Sequence, residues 1–485
     1  MRILYLDIDT TRADHLGCYG YPRKTTPNID RVAGQGVRFD KCYVSDAPCL
    51  PSRAAMFTGQ FGIHSGVVGH GGTAADLRIV GRERGFNLIR QRPGFIDCLR
   101  QRGVYPVSFS PFAERHSAWW FCAGWREQHN TGKGGNEIAD DVAPGAIEWI
   151  RGNARRDNWL LHVNLWDPHT AYRTPEAFGN PFENEPLEGW YTEERRRRQW
   201  EGFGPGGPQE PGGGYGRFQG VPRQPAQIAS LADYKRHIDG YDTGILYADT
   251  WCGRILNALA DEGVLDDTVI VITSDHGENQ GELGVIGDHA TADHITSRVP
   301  MVVRWPGLPG PRADTGLHNQ VDVAATMVEL LGGEVPPHWD GRSFAAALRQ
   351  GRSDGRPYVV FGQMCWSCMR GVRWDDHVFL RTYHTGLKDL PARMLFDVAR
   401  DPHETHDLAP SQPSLADRGQ ALLETWTAAM MAGSPPASDP LWTVLREGGP
   451  YHTRNELAFY CDRLRDTGRA HHAEFLQKHP TGIVE

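Results

Sequence analysis

Apolar residues fall in short runs separated by stretches of helical length. Ile3 to Ile8 reads as a buried strand, Pro27 to Ala33 as a short helix, Val37 to Val44 as a strand and 51–60 as a helix. Helix and strand candidates alternate again at 92–102, 104–109, 137–152 and 159–166. A long helix at about 228–262 leads into the strand Thr268-Val-Ile-Val-Ile-Thr273, and Val299 to Arg304 gives another strand. This alternation predicts an α/β fold, with a mostly parallel central sheet sandwiched by helices. In such sheets ligand chemistry gathers at the carboxyl ends of the strands.

The texture changes twice. Between about 180 and 225 the chain is rich in Gly and Pro (FGPGGPQEPGGGYGRFQGVPRQP) and has too few apolar residues for a core, so it reads as a loop insertion. From about 340 onward, short strands at 357–397 precede helical segments at about 413–432 and 453–477. A chain of 485 residues is long for one core. The expected division is a catalytic domain over 1–340 and a smaller C-terminal α+β domain over 341–485.

Composition narrows the function classes. A net charge of −9 argues against a nucleic-acid partner held by general electrostatics. The one basic run, Arg195 to Arg198, is flanked by Glu193, Glu194 and Glu201, as on a solvated helical face. No apolar run has the length to span a membrane, and the N-terminus lacks the pattern of a secretory leader, so a cytoplasmic protein is expected. Nine scattered cysteines fit reduced thiols. Cys365-Trp-Ser-Cys368 has the spacing of half a zinc site or a redox pair, but no second pair accompanies it, and a structural or incidental role is expected.

Candidate chemistry sits at strand ends. Asp7 and Asp9 close the first strand on one face, and Asp275-His276 follow the strand ending at Thr273. Oxygen donors with one imidazole suit a divalent cation such as Ca²⁺ or Mn²⁺ better than a tetrahedral zinc site. Asp-His after a strand is also an ordinary turn. Pro51 suits a first helical turn, which places Cys49 at a helix N-terminus where anions are favoured, with Arg53 one turn in. A lone cysteine can equally be a small buried hydrophobe.

Taken together, these segments resemble the type I, formylglycine-dependent sulfatases of the alkaline phosphatase superfamily. Cys49-Leu-Pro-Ser-Arg53 is similar to the Cys-x-Pro-Ser-Arg sequence in which the cysteine is oxidised to formylglycine. Asp9-Thr-Thr-Arg-Ala-Asp14-His-Leu-Gly resembles the family's opening, Trp166-Asp-Pro-His-Thr-Ala-Tyr172 its Asp-Pro-His segment, and Thr273-Ser-Asp-His-Gly-Glu278 its second metal motif. Arg298 to Gly307, Leu395-Phe-Asp397 and Asp401-Pro-His-Glu404 match further segments in order. The resemblance implies an alkaline phosphatase/sulfatase-like fold and hydrolysis of sulfate monoesters. The formylglycine hydrate would attack sulfur, and its second hydroxyl would release sulfate. It further implies Asp9, Cys49, Asp275 and His276 as ligands of one divalent metal, Ca²⁺ first and Mn²⁺ second. Arg53 would steady the nucleophile, and His169 would contact sulfate and protonate the leaving oxygen.

Departures from the pattern raise specific expectations. Thr10 stands where a second acid is usual, and Asp7 compensates only if the strand end bends. His289 falls where a sulfate-binding Lys is usual. Ser110 to His116 replaces a Gly-Lys-x-His segment, making Arg115 or His116 the candidate substitute. His70 and His294 are further pocket candidates, and Trp119 and Trp120 are core or pocket wall. Loops 70–92, 110–135 and 180–225 are expected to shape the leaving-group pocket. The expected substrate is a small sulfate ester of a sugar or other alcohol. The alternative is a phosphonate monoester or phosphodiester in a neighbouring branch, and a catalytically silent binding protein is the outlying reading. The expected partners are a formylglycine-generating enzyme during maturation and a second copy of the chain in a homo-oligomer, through the insertion or the C-terminal helices.

Overall fold

The structure is a computed structural model and describes residues 1–78, 92–213, 221–432 and 438–484. Its strands, in chain order, are β1 (Arg2–Ile8), β2 (Val37–Tyr43), β3 (Asp46–Ala47), β4 (Tyr105–Phe109), β5 (Glu127–His129), β6 (Trp159–Leu165), β7 (Thr268–Thr273) and β8 (Asn279–Gln280). They continue with β9 (Ile286–Asp288), β10 (Arg298–Val299), β11 (Met301–Arg304), β12 (Arg312–Asn319), β13 (Val359–Gln363), β14 (Cys368–Trp374), β15 (His377–His384) and β16 (Arg393–Asp397). The large sheet runs β10-β2-β11-β7-β1-β6-β4-β5, with β12 also paired to β2. Its centre is parallel, as the alternation predicted, while β10 and β11 run antiparallel to their neighbours.

Strand β1 places the chemistry. Leu4, Leu6 and Ile8 point into one core with the helices Ala139–Asn153 and Leu231–Asp261. Ile3 and Tyr5 point into the opposite core with Met56 and the helix Gln320–Leu330. Each such fully buried aliphatic side chain contributes about 1.5–3 kcal/mol. Since strand side chains alternate, Asp7 and then Asp9 face the side of the helix Cys49–Thr58. On β7, Val269 and Val271 share that face, so Thr273 and Asp275 follow onto it. Parallel register sets Asp7 opposite Thr273, bringing the two strand ends side by side.

A second, five-stranded sheet runs β16-β15-β14-β13-β3. Its edge strand β3 comes from the N-terminal part of the chain, pairing Asp46 with Gly362 and Ala47 with Gln363. That pairing anchors the segment immediately before Cys49. The helix begins at Cys49 and is stopped by Gly59 at φ 72°, a left-handed conformation that glycine adopts without steric cost.

Three expectations change. The 180–225 segment is more than loop: Thr192 caps a helix over Glu193–Glu201, and Tyr191 packs with Ile228, Tyr234, Ile238 and Ile286. On that helix Glu193 pairs with both Arg196 and Arg197, and Arg196 is buried rather than solvated. The helix expected at 453–477 is two, Leu457–Asp466 and Ala470–Lys478, parted by Gly468 at φ 76°. Residues 214–220 of the insertion and 79–91 of the 70–92 loop lie outside the described residues. Among the described residues, no helix is long and apolar enough to cross a membrane.

Candidate active site

Four side chains meet where β1, β7 and the Cys49 helix converge. Ligand atoms of Asp9, Cys49, Asp275 and His276 all lie within 4.8 Å of one another, and all four residues are buried. Arg53, one turn into the helix, spreads its guanidinium over three carboxylates. Its Nε donates to Asp7 Oδ2 (2.8 Å), Nη1 to Asp275 Oδ2 (2.6 Å) and Nη2 to Asp9 Oδ2 (2.9 Å). The helix thus delivers both a reactive side chain and the counter-charge that lets three acids share one buried place.

The donors fit a divalent cation. Burial and repulsion from Asp275 push the Asp9 carboxyl well above the usual range against the pull of Arg53, and Asp9 Oδ1 has no hydrogen-bond partner. A cation would relieve both conditions. His276 Nδ1 donates to the Gly277 carbonyl (2.8 Å), which leaves the Nε2 lone pair facing Cys49 Sγ at 3.2 Å. Burial, then the charges of Asp9 and Asp275, push the Cys49 thiol well up, so as a thiol it is a poor nucleophile. Asp7 does not join the group. The strand stays straight there, and Arg53 and His162, opposing the cost of burial, hold its carboxyl below the ordinary range. Thr10, at φ 52°, keeps its hydroxyl buried and unpartnered while its N–H donates to Asp275 Oδ1 (3.1 Å).

Above Cys49 opens a cavity of ≈590 Å³. His70, His116, His169 and His289 line it, with Arg115, Arg173, Asp288 and Trp366. The His289 ring lies 4.4 Å from that of His276 and 5.8 Å from that of His169. His169 Nδ1 donates to the Thr170 carbonyl, leaving Nε2 free to exchange a proton. Burial and the neighbouring cationic groups push His70, His116, His169 and His289 well below the ordinary imidazole value. His70 and His116 also come close enough to Cys49 to form a second group with metal-ligand spacing, and their Nε2 atoms are unpartnered.

His294 is a correction. It is buried beneath the site, where Nδ1 bonds the Tyr43 hydroxyl (2.7 Å), and it does not line the cavity. Trp120 belongs to the apolar cluster under Cys49, whereas Trp119 is more than half exposed and donates to Asp76. Cys365 and Cys368 are buried free thiols outside the metal-spaced groups found among the described residues. Sequence reasoning missed His452, whose Nε2 meets His70 Nδ1 at 2.8 Å, and Trp366, which stacks on His452. Both come from the C-terminal third; Trp366 lies within Cys365-Trp-Ser-Cys368, whose spacing pointed to the thiols and not to the ring between them. It also missed Gln363, which holds the His289 carbonyl at 2.6 Å from the second sheet.

The site is thus an acidic and imidazole donor set around a cysteine at a helix start, at the edge of a cavity. The sulfatase family profile matches residues 2–333, and the chain belongs to that family of sulfuric ester hydrolases. An N-acetylglucosamine-6-O-sulfatase of Bacteroides thetaiotaomicron is 23% identical, over 84% of this chain and 82% of that protein. A steryl-sulfatase of Rattus norvegicus is 26% identical, over 81% and 82%. Among solved structures, one in complex with its substrate D-glucosamine-2-N,6-O-disulfate superposes with a TM-score of 0.68 at 20% identity, covering 90% of this chain and 99% of that one. A phosphonate monoester hydrolase from Silicibacter pomeroyi superposes with a TM-score of 0.67 at 19% identity, covering 91% and 97%. At these identities the two superpositions establish the shared fold.

Proposed function

We propose that this chain hydrolyses the sulfate monoester of a small sulfated sugar or related alcohol, using Cys49 matured to formylglycine and one divalent cation. The observation that carries the reading is the buried group Asp9, Cys49, Asp275 and His276, with Arg53 tied to both acids. These four residues would hold the cation, and two or more oxygen donors favour Ca²⁺ over a softer metal. When present, the cation supplies positive charge at the reacting centre and the aldehyde hydrate supplies an oxygen nucleophile in place of the thiol.

The chain's own residues do the rest. Arg53 holds the acids in register and faces the nucleophile position with fixed positive charge. His169 and His289 bracket the space above Cys49, and His169 Nε2 can pass a proton to the departing alcohol oxygen. His116 and His70 flank the nucleophile from the other side, with unpartnered Nε2 atoms to bind ester oxygens or take a proton. The cavity lining combines these imidazoles with Arg115 and Arg173, cationic groups that suit an anionic ester.

The test uses protein made with a formylglycine-generating enzyme and compares a sugar sulfate with a phosphonate monoester. Faster release of sulfate, as kcat/KM, is expected. Faster turnover of the phosphonate would assign the chain to the phosphonate and phosphodiester chemistry instead, and turnover of neither would leave a binding protein.

A further inference from the structure

Two guanidinium groups line the cavity above Cys49. Arg173 donates to the Ala171 carbonyl (Nη1, 3.1 Å) and to Asn136 Oδ1 (Nη2, 3.1 Å), both neutral. Arg115 sits at the end of the short helix Phe112–Arg115. Neither enters an ion pair with any described residue, although both line the cavity with Cys49 and His169. The chain carries 60 acidic against 51 basic residues, so partners are not scarce. Arg115 is exposed and Arg173 half-buried, whereas the buried guanidiniums do take partners: Arg12 pairs with Asp14 and Glu282, Arg23 with Asp239 and Asp242, and Arg370 with Asp439.

The two arginines also feel each other. Burial lowers Arg173 from its ordinary value; the attraction of Asp167 opposes this, and a smaller repulsion from Arg115 works with it. Two like charges facing one cavity repel each other, and an anion placed between them is attracted to both. The acids on the cavity wall pair with neither arginine: Asp76 accepts from Trp119 Nε1 (2.9 Å), and Asp288 accepts the N–H of His289 (2.8 Å). His169 and His289 on the cavity wall already serve the reacting ester. Arg115 ends the short helix after β4 and Arg173 follows β6, and both reach this wall.

We propose that Arg115 and Arg173 form a subsite for a second anionic group, so that the preferred sulfate ester carries a carboxylate or a second sulfate on the same sugar. Guanidinium forks suit either group, since both present paired oxygens in a plane. The inference rests on reading the Cys49 cavity as a sulfate-ester site. It goes further in stating that a neutral monosulfated sugar is a poor substrate.

The experiment measures kcat/KM of the full-length, formylglycine-bearing protein on a neutral monosulfated hexose, the same hexose carrying two sulfates, and a monosulfated hexuronate. One of the doubly charged substrates is expected to exceed the neutral one by about tenfold or more, the scale of one charge-assisted contact. Which one leads identifies the second anion. In Arg173→Gln the ratio of doubly charged to neutral substrate collapses toward unity, chiefly through KM, and Arg173→Lys retains part of it. Equal rates on all three substrates, or an equal loss on all three in Arg173→Gln, overturn the subsite. Absence of sulfate release from every substrate by protein with verified formylglycine overturns the sulfatase reading instead.

Discussion

Cys49 Sγ lies 3.2 Å from His276 Nε2, although 227 positions separate them in the chain. The contact joins the first turn of a helix to the end of a parallel strand, and it fixes where any group built on Cys49 must react. Replacing Cys49 by Ser keeps the size of the side chain while removing the site of oxidation. Sulfate ester hydrolysis by Cys49→Ser is expected to fall to background, with a thermal midpoint close to that of the parent protein. Retained turnover in purified Cys49→Ser would place the nucleophile elsewhere.

Arg53 is the buried guanidinium that pairs with Asp7, Asp9 and Asp275 together. Arg53→Ala leaves three carboxylates in a dry site and is expected to cost about 3–5 kcal/mol in denaturant unfolding of the metal-free protein. Arg53→Lys keeps the charge but not the three-way fork, so the acids lose register. Its activity is expected to drop about a hundredfold, the scale of a misplaced reacting group. Near-parental activity in the lysine variant would show that charge alone suffices.

Thr10 is a β-branched residue at φ 52°, and its hydroxyl is buried without a partner. Backbone strain of this kind costs of order 1–3 kcal/mol, and Asp or Asn tolerates the conformation better. Thr10→Asp adds a carboxylate beside Asp9 and Asp275. Calorimetric titration is expected to show Ca²⁺ binding tightened by about tenfold, because charge count sets affinity in such sites. Without metal the same variant is expected to gain little stability, since the added repulsion offsets the relieved strain. Unchanged or weaker Ca²⁺ binding would put Thr10 outside the metal's reach.

The imidazole of His403 and the carboxylate of Glu282 bond at 2.9 Å beneath the site, and Arg12 reaches the same carboxylate at 3.0 Å. Burial alone would lower His403, but its bonds to Glu188 and Glu282 overcome that and raise it to about 9. Burial likewise opposes ionisation of Glu282, yet Arg12 and His403 lower it to about 2. A histidine raised in the folded state stabilises fully below its ordinary value and loses that contribution as pH rises toward 9. A lowered glutamate stabilises above its ordinary value and loses it as pH falls toward 2. The pair therefore contributes most between about pH 4.5 and 6.5. His403→Gln is expected to lose about 1–3 kcal/mol in that window and little at pH 9. A loss independent of pH would refute the assignment.

Much of this site was legible because its residues sit at strand ends and helix starts, where local pattern and chemistry coincide. Asp9, Asp275-His276 and Cys49 each follow an apolar run or precede Pro51, and the parallel register then brings them together. His294 misled because its motif neighbours are near the site, whereas helix geometry turns its ring toward Tyr43. His452 and Trp366 were illegible because they reach the cavity through tertiary packing of the second sheet and the C-terminal segment. The helix Gln320–Leu330 was passed over, although Asn319 caps it and apolar residues run through it. The insertion looked core-less because its apolar anchors, such as Tyr191, pack against residues far along the chain.

Metal removal supplies an independent check. Chelation is expected to abolish activity and lower the thermal midpoint, and Ca²⁺ at a hundred times its dissociation constant is expected to restore about 2.7 kcal/mol of stability. Full activity in rigorously chelated protein would contradict a cation at Asp9, Asp275 and His276.

The most direct measurement is peptide mass spectrometry across Cys49, paired with sulfate release from the same preparations, in protein made with graded amounts of the formylglycine-generating enzyme. Turnover is predicted to rise in proportion to the fraction of Cys49 found as the aldehyde or its hydrate. Sulfate release by protein whose Cys49 is wholly thiol, or no ester cleavage by wholly converted protein, would contradict the account.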